Sequence, residues 1–454
     1  MEDTIVALAT VPGEASINIV RLNGPHAGRI IEECFKPTNE SRWLKGDNFT
    51  LNLGKFYDGS VFLDEVLIGR MLAPFSFTGE DVYEINCHGG RLAANRILDA
   101  CFRRGARLAC PGEFTKRAFL NGKLDLVQAE AIIDLITAKT DLAADQALGQ
   151  LEGLLSDKIT LLRESILESL AFLEAGIDFP EDEVDYLDRD TLSKNILKCI
   201  DIVNDLLEGS KTGKILRDGL LTVIVGRPNV GKSSLLNNLL KEERAIVTSI
   251  PGTTRDEIRE SVNMGGLLLQ LVDTAGIRES KDVVERIGIG RTWKVLSEAD
   301  LILLMIEAGF DLSDDEKRII NTYPERVILL LNKVDLISEF KVNLELPKDV
   351  QSIPFSVHEN RGFEELERAI KLKVFKDTSF TYKEPLISNL RHIDSLERCK
   401  LSLNSAVETV KQGLPWDIIT VDIRNALREV SEVTGHNVQE TLLEDIFSRF
   451  CIGK

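Results

Sequence analysis

The feature that most constrains this 454-residue sequence is a glycine-bounded loop between an apolar run and a helical run. The apolar run, residues 221–225, predicts a buried strand, and residues 234–240 predict a helix. The loop between them, residues 226–233, has the sequence Gly-Arg-Pro-Asn-Val-Gly-Lys-Ser. Its glycines let the backbone curl so that N–H groups point at phosphate oxygens, and the helix presents its positive N-terminus to the same anion. The pattern predicts an α/β domain that binds a nucleotide.

Two side chains of this loop carry chemistry. Lys232 is expected to reach the β- and γ-phosphates and to act in catalysis. Ser233 supplies a hydroxyl oxygen, which is the kind of ligand that Mg²⁺ takes beside a triphosphate. The strand–loop–helix setting distinguishes this motif from a chance match.

Two further stretches follow in chain order. Residues 252–256, Gly-Thr-Thr-Arg-Asp, lie where a loop can bring a hydroxyl to the metal, although Gly-Thr-Thr alone is also common turn chemistry. The apolar run 267–272 predicts a strand that ends in Asp-Thr-Ala-Gly at residues 273–276. Asp273 can hold the Mg²⁺ shell, and the N–H of Gly276 can sense the γ-phosphate.

A fourth stretch points to the base. The apolar run 327–331 ends in Asn-Lys-Val-Asp at residues 332–335. Asp335 can accept hydrogen bonds from N1–H and the 2-amino group of guanine, a pair that adenine lacks. Residues 353–357 predict a strand whose following loop lies against the base. The four stretches, in this order and spacing, resemble a translation-factor-class GTPase domain over residues 216–377.

The residue after Gly276 departs from the Ras-like pattern. Ras-like proteins place a Gln there to orient the attacking water, and Ile277 has no group that can do so. Arg255 and Arg278 are candidates for an arginine finger, although arginines in such loops are more often simply solvated. A monovalent cation is the other source of positive charge, and a carbonyl oxygen of Asn229 offers it a ligand.

The flanking segments predict two more domains. Residues 1–118 combine alternating strand patterns, at residues 17–21 and 81–86, with a helix over residues 92–103, which is typical of a small α+β domain. Apolar residues spaced by three and four positions from 148 to 173 predict the core face of a helical bundle, with a partner-binding groove as the minor alternative. The fold class is therefore multidomain, α/β plus all-α. A Ras-like P-loop GTPase domain, residues 216–377, is inserted into a helical bundle domain built from residues 119–215 and 378–454. The segments 208–213 and 377–381 are predicted as the two joints.

Composition excludes several classes of protein. The net charge of −18 argues against a surface that coats nucleic acid. Seven cysteines without a Cys-x-x-Cys pair indicate neither a zinc ribbon nor a disulfide framework. The acidic N-terminus lacks the basic region of a signal peptide, and no apolar run approaches the roughly 18 residues that span a bilayer. A cytoplasmic protein without membrane insertion is expected.

Four segments outside the nucleotide motifs support a family resemblance. They are Ser-Phe-Thr-Gly-Glu-Asp at 76–81, His-Gly-Gly at 88–90, Arg-Ala-Phe-Leu-Asn-Gly-Lys-Leu-Asp-Leu at 117–126 and Phe-Cys-Ile-Gly-Lys at 450–454. Together with the inserted domain, they make nearly the whole chain resemble the MnmE (TrmE) family of tRNA-modifying GTPases.

The resemblance implies a potassium-dependent GTPase that is activated when two GTPase domains dimerise. The K⁺ would take the role of the missing arginine finger beside the phosphates. Glu285 should orient the water that Ile277 cannot. The expected K⁺ ligands are Asn229, Thr248, Ile250 and Thr253, and the expected Mg²⁺ ligands are Ser233 and Thr254.

The same resemblance, together with the motifs, defines the residues expected around GTP. They fall in the phosphate loop, the two segments that follow it, and the two base loops. The full set is Asn229, Val230, Gly231, Lys232, Ser233, Ser234, Thr248, Ser249, Ile250, Pro251, Gly252, Thr253, Thr254, Asp273, Thr274, Ala275, Gly276, Asn332, Lys333, Asp335, Ser356 and Val357.

The resemblance also implies a folate site in the N-terminal domain. A tetrahydrofolate derivative, the 5-formyl or 5,10-methylene form, would be the one-carbon donor. Arg21 and the lysines would pair with glutamyl carboxylates, and Glu84 would accept from the pterin amino groups. The expected folate-binding residues are Arg21, Glu84, Lys123 and Lys454.

The implied partners are a second copy of the chain, which dimerises through the N-terminal domain, and the flavoprotein MnmG (GidA). These would form a heterotetramer, and FAD and NADH would enter only through MnmG. The complex would install an aminomethyl or carboxymethylaminomethyl group at C5 of the wobble uridine of certain tRNAs.

Two points stay open. Cys451 is a possible nucleophile towards a uridine ring, but a merely packed or present cysteine is the commoner situation. The alternatives for the whole chain are an Era-like ribosome-assembly GTPase and a non-enzymatic GTP-loaded switch. The former should carry a basic RNA-binding appendage, whereas the tail here is acidic and helical.

Overall fold

The structure is a computed structural model that describes residues 3–178, 189–241, 259–272, 293–337, 346–375 and 386–454. Contacts within the chain divide it into two units. The first holds Met1–Ile133 and Arg428–Lys454, and the second holds Asp134–Leu427. The domain boundaries predicted from the sequence stay predictions.

The strands of the described residues are short and fall into two groups along the chain. They are β1 Ile5–Leu8, β2 Ile17–Asn23, β3 Phe35–Pro37, β4 Thr50–Asp58, β5 Val61–Met71, β6 Val82–His88, β7 Arg107–Leu108, β8 Leu220–Gly226, β9 Arg259–Met264, β10 Leu267–Val272, β11 Leu301–Glu307, β12 Val327–Asn332 and β13 Gln351–Pro354.

The helices lie before, between and after these groups. They are α1 Ala27–Cys34, α2 Glu40–Leu44, α3 Arg91–Phe102, α4 Glu113–Leu120, α5 Leu126–Thr137, α6 Asp141–Leu151, α7 Leu154–Asp178, α8 Arg189–Glu208, α9 Ser210–Asp218, α10 Lys232–Lys241, α11 Asp314–Thr322, α12 Phe363–Phe375, α13 Leu390–Lys411, α14 Trp416–Thr434 and α15 Glu440–Ser448, with a 3₁₀ turn at Val334–Leu336.

Within the described part of the first unit, seven strands form one sheet in the order β3-β4-β5-β6-β2-β1-β7. The pairs are antiparallel except β1–β7. The alternating patterns at residues 17–21 and 81–86 are confirmed as β2 and β6. One face of the sheet, the inner face, packs on α1 and α3, where Ile30 and Ile97 are fully buried.

The opposite, outer face of this sheet is covered only in part. At its β1 end, Phe114 of α4 packs on Ile5. Further across, the side chains of Leu51, Leu53 and Leu67 are 57%, 47% and 41% exposed. Because successive residues of a strand point to opposite faces and Leu53 lies opposite Leu67, these leucines form one apolar strip. We call these three residues the outer leucines.

The second unit contains a sheet of the nucleotide-binding type. Among its described residues, six strands lie in the order β13-β12-β11-β8-β10-β9, and only the β9–β10 pair is antiparallel. Helices α10 and α12 pack on one face, and α11 packs on the other. Parallel strands buried on both faces are continuous apolar runs, as residues 301–306 and 327–331 are. The predicted α/β domain is confirmed.

Helices α7, α8 and α13 form the helical part of this unit. The predicted apolar face of α7 is buried from residue 155 to residue 173. Its first two members do not belong to this helix, because α6 ends at Leu151 and Gly153 has a left-handed φ of 97°. Leu148 on α6 is 42% exposed. The continuous face predicted from residue 148 is therefore wrong at its start.

The segment predicted as a loose joint at residues 208–213 lies mostly in helix α9. A Cβ on Gly213 would collide with the carbonyl oxygen of Ile387. Helix α9, which precedes the sheet along the sequence, therefore packs closely on the segment that follows the sheet. The second predicted joint, residues 377–381, lies outside the described residues. In the described ranges, no helix has both the length and the apolar character needed to cross a membrane.

A buried ion cluster fixes the end of the N-terminal sheet. The guanidinium of Arg117, on α4, is fully buried and pairs with Asp3, Glu80 and Glu113 at 2.9, 2.9 and 3.1 Å. Burial raises the pKa of Glu113, but hydrogen bonds from Arg107, the Cys110 N–H and Arg117 outweigh it, so its pKa lies below its usual value. The cluster ties together the segment before β1, the loop before β6 and helix α4.

We expect Arg117→Met to lower the free energy of unfolding by about 3 kcal/mol, because it removes the fully buried charge that three carboxylates share and leaves the buried Glu113 with Arg107 as its remaining counter-charge. Urea denaturation measures this change. Arg29→Met is the control, since the Arg29 side chain is 59% exposed and its pair with Glu33 is long, at 3.8 Å. Equal small changes in both variants would contradict a stabilising role of the cluster.

Candidate nucleotide and one-carbon sites

The phosphate loop leaves β8 at the centre of the sheet and enters α10. Gly226 has φ 151°, and a Cβ there would collide with the carbonyl oxygen of Met305 on β11. Gly231 has φ 106°, and a Cβ there would collide with the side-chain amide of Asn332. Both glycines are therefore required by close packing as well as by backbone conformation. The predicted strand–loop–helix arrangement is confirmed.

The polar side chains of the loop differ in how they are held. The Lys232 ammonium donates to the carbonyl oxygens of Gly226 and Arg227 at 2.9 and 2.6 Å, which holds the side chain along the loop. Ser233 and Ser234, in the first turn of α10, are exposed. Asn229 has a left-handed φ of 64° and is exposed at the tip.

The base loops come together as the sequence predicts. Asn332 is buried, donates its amide to the Val230 carbonyl at 2.7 Å, and accepts from the Val357 N–H at 3.3 Å. One side chain thus joins the phosphate loop to the loop after β13. Lys333 has φ 65° and pairs with Glu307 at 2.8 Å.

Asp335 is exposed at the mouth of this region. The Ser356 hydroxyl, which donates to it, holds the pKa of Asp335 below its usual value. Ser356 itself is fully buried and also accepts from the Glu359 N–H at 3.1 Å. A charged acceptor with one fixed partner suits the paired donors of a guanine edge.

Several predicted site residues lie outside the described residues. They belong to the segments that follow α10 and β10. They are Thr248, Ser249, Ile250, Pro251, Gly252, Thr253, Thr254, Asp273, Thr274, Ala275, Gly276 and Glu285, with Arg255, Ile277 and Arg278.

The structure adds one pair that sequence reasoning missed. Arg227, in the phosphate loop, donates Nε and Nη2 to the two carboxylate oxygens of Glu316 at 3.1 and 2.9 Å. Glu316 is buried and completes a capping box with Ser313 at the start of α11. The Ser-x-x-Glu pattern marks the helix start in the sequence. Nothing local pairs it with a residue 89 positions earlier.

The predicted folate residues lie in the first unit. Arg21 donates Nε and Nη2 to one carboxylate oxygen of Glu84 at 3.0 and 2.7 Å, because the two residues face each other across β2 and β6. Its Nη1 donates to the carbonyl oxygen of Gly453 at 3.0 Å. The guanidinium also stands over the ring of Phe114 at 5.5 Å.

The C-terminal segment reaches this pair. A Cβ on Gly453 would lie 2.5 Å from the Leu8 carbonyl oxygen, and the Lys454 carbonyl accepts from the Phe114 N–H at 3.2 Å. Arg21, Glu84 and Lys454 are thus brought to one end of the outer face. Lys123 instead donates to the Pro74 carbonyl at 3.1 Å. Cys451 is exposed in the same terminal turn.

Comparison with known proteins agrees with this arrangement. The family model described as "MnmE helical domain" matches residues 126–451, and "GTP-binding protein TrmE N-terminus" matches residues 4–123. The chain belongs to the MnmE family. The predicted family resemblance and fold class are confirmed, and the chain is a member of a family of tRNA modification GTPases.

Relatives extend over the full length. The tRNA modification GTPase MnmE of Desulfitobacterium hafniense is 60% identical over 459 residues and covers 100% of both chains. That of Alkaliphilus oremlandii is 45% identical over 461 residues, again over 100% of both. A solved variant of Aquifex aeolicus Era bound to GDP and AlF4⁻ is 29% identical over 40% of this chain and 66% of its own, with a TM-score of 0.26.

We expect Asp335→Asn to weaken guanine nucleotide binding by at least about tenfold, because the amide presents a donor to the guanine donors. The same amide suits the C2 carbonyl of xanthine, so affinity for XDP should rise. Titration with fluorescent GDP and XDP measures both. Asp315→Asn, an exposed acid on α11, is the control. Unchanged GDP affinity in the Asp335 variant would exclude this loop from the base site.

Proposed function

We propose that this chain is a potassium-dependent GTPase that acts, together with a flavoprotein partner, on C5 of the wobble uridine of certain tRNAs. It would help install an aminomethyl or carboxymethylaminomethyl group there, with a tetrahydrofolate derivative as the one-carbon donor. The observation that carries the proposal is that one chain combines a guanine nucleotide site with a second polar site at the outer face of the N-terminal sheet.

The donor set of the nucleotide site fits the two proposed cations. Ser233 and Thr254 would ligate Mg²⁺ through hydroxyl oxygens, the hard ligands that this ion prefers. Asn229, with Thr248, Ile250 and Thr253, would hold K⁺ through neutral oxygens. Bound there, the cations would neutralise charge that develops between the β- and γ-phosphates.

The chain's own residues have separate tasks in this proposal. Lys232 binds the terminal phosphates from a position along the loop. Asp335 selects guanine, and Asn332 keeps the base loop in register with the phosphate loop. Glu285 would orient the attacking water, which Ile277 cannot do. Two GTPase domains would have to meet before hydrolysis becomes fast.

The proposed one-carbon site lies on the outer face of the N-terminal sheet. Arg21 and Glu84 carry opposite charges at 2.7 Å, so each can exchange its partner for a ligand group of the same sign. Arg21 and Lys454 would bind glutamyl carboxylates, Glu84 would accept from pterin amino groups, and Lys123 would bind at the rim. Cys451 stays a candidate nucleophile.

The outer leucines support a homodimer through the N-terminal domain. A contiguous exposed apolar strip on a sheet face marks a contact with another protein. The strip adjoins the strand pair that carries Glu84, so dimerisation would shield the one-carbon site from water. Sedimentation of a Leu53→Asp variant as a monomer, and of the unsubstituted chain as a dimer, is the expected result.

The net charge of the chain bears on its two other proposed partners, tRNA and the flavoprotein. With a net charge of −18, the chain would leave much of the grip on tRNA to its flavoprotein partner, MnmG, which would bring FAD and NADH to a heterotetramer. The expected location is the cytoplasm. Tight, steeply salt-dependent tRNA binding by the isolated chain would contradict this division of labour.

We expect GTP turnover to be stimulated by at least about tenfold in KCl over NaCl at equal ionic strength, because a cation in the role of an arginine finger contributes to the rate. Steady-state phosphate release measures it. LiCl and RbCl series serve as controls for ion size. Equal, slow rates in all salts would leave a GTPase but would contradict the potassium-dependent mechanism.

We expect Arg21→Ala to weaken binding of 5-formyltetrahydrofolate by about tenfold or more, through the loss of a charged hydrogen bond. Titration calorimetry on the full-length chain measures this affinity. Arg91→Ala, an exposed arginine at the start of α3, is the matched control. GTP turnover should stay unchanged in both variants. An Arg21 variant that binds the folate normally would remove Arg21 from the site.

A further inference from the structure

The phosphate loop is held from two sides. Asn332 holds the part of the loop next to α10, its inner limb, by donating to the Val230 carbonyl at 2.7 Å. Arg227 holds the part next to β8, its outer limb. It does so through two hydrogen bonds to the Glu316 carboxylate and one to the Asp311 carbonyl at 2.6 Å. Between the two attachments lies Asn229, with its left-handed backbone.

Both residues of the Arg227–Glu316 pair are held in place by further contacts. The Glu316 side chain is only 5% exposed, and one of its oxygens also accepts from the Ser313 N–H at 2.8 Å. The Arg227 backbone follows Gly226, which lies so close to the Met305 carbonyl oxygen on β11 that no Cβ would fit. A planar guanidinium bound by both carboxylate oxygens fixes direction as well as distance.

This arrangement excludes one role and favours another. A guanidinium held by Glu316 and Asp311 is directed at the start of α11 and is not free to act as an arginine finger. Asparagine adopts the left-handed conformation more readily than most residues, and the direction of its oxygens depends on how the backbone on either side is held. Asn229 lies two residues from Arg227, on the limb that Arg227 anchors.

We propose that Arg227, through Glu316, is a positioning residue that sets the backbone of Asn229 and thereby the affinity of the proposed K⁺ site beside the phosphates. This rests on the proposed potassium-dependent function. Asn229 is exposed and offers neutral oxygens. Arg227 would act on the ion only through Asn229, as groups behind metal ligands do.

The test uses the full chain and measures binding, not turnover. Affinity for a non-hydrolysable fluorescent GTP analogue is titrated against KCl at constant ionic strength, since an ion that binds beside the phosphates must tighten the nucleotide reciprocally. The readout is the K⁺ concentration at half-maximal effect. Discrimination between the GTP and ATP analogues is measured in parallel, because it depends on Asp335.

Four variants sharpen the test. Arg227→Ala removes the guanidinium that donates to both carboxylate oxygens of Glu316. Glu316→Gln weakens the pair, while glutamine keeps the capping box of α11. Both are expected to raise the K⁺ midpoint by about tenfold. The combined variant should be no worse than Arg227→Ala, because the two residues act as one unit. Arg318→Ala, on the same helix but stacked on Trp293, should match the unsubstituted chain.

The outcomes separate the claims. An unchanged K⁺ midpoint in Arg227→Ala overturns the positioning role and leaves the proposed function intact. Loss of GTP over ATP discrimination together with a lower melting temperature also overturns it, since that would mark a general loss of structure. If the unsubstituted chain shows no K⁺ effect on binding, the proposed cation site fails and the inference fails with it.

Discussion

The pairing of β8 with β11 is the constraint on which the nucleotide site depends. It is a parallel pairing at the centre of the sheet, and it brings Gly226 directly against Met305. Any side chain at residue 226 would push the two strands apart. Because parallel strands end at the same edge, this close approach also sets the phosphate loop beside the end of β12, where Asn332 can bridge to Val230. The phosphate loop and the proposed base loop are therefore held by the same contact.

The sequence predicts this part of the molecule well because its determinants are local. Glycine spacing, apolar runs and the residues that end them are all visible within a few positions of one another. The Arg227–Glu316 pair escapes such reasoning because its specificity lies in tertiary geometry: the sequence shows an arginine in a loop and a helix cap, but not that they meet. The start of the α7 face failed for a related reason. A glycine can end one helix and begin another without disturbing the three-and-four spacing of the leucines.

The residues around Arg21 show more clearly that local sequence patterns do not reveal tertiary contacts. Arg21 and Gly453 are 432 positions apart, and no periodicity links them. Their contact depends on Gly453, which alone can lie that close to Leu8, and on Phe114, whose backbone N–H holds the last residue. Only the family resemblance singled out Arg21, Glu84 and Lys454 as a group. The structure supplies the physical reason why they lie together. The C-terminal segment packs against β1, next to the Arg21–Glu84 pair that bridges β2 and β6.

The ion pair between Arg227 and Glu316 limits which groups can supply positive charge during GTP hydrolysis. Arg227 is the arginine of the phosphate loop, and its ion pair with Glu316 directs it towards α11. A charge that is already paired and held gains little by moving to a phosphate, because Glu316 would be left buried and unpaired. In the proposed mechanism, the candidates for positive charge beyond Lys232 and Mg²⁺ are then Arg255, Arg278 and a bound cation. The exposed, left-handed Asn229 favours the cation, since an anchored loop with neutral oxygens offers K⁺ a ligand without the cost of breaking an existing ion pair.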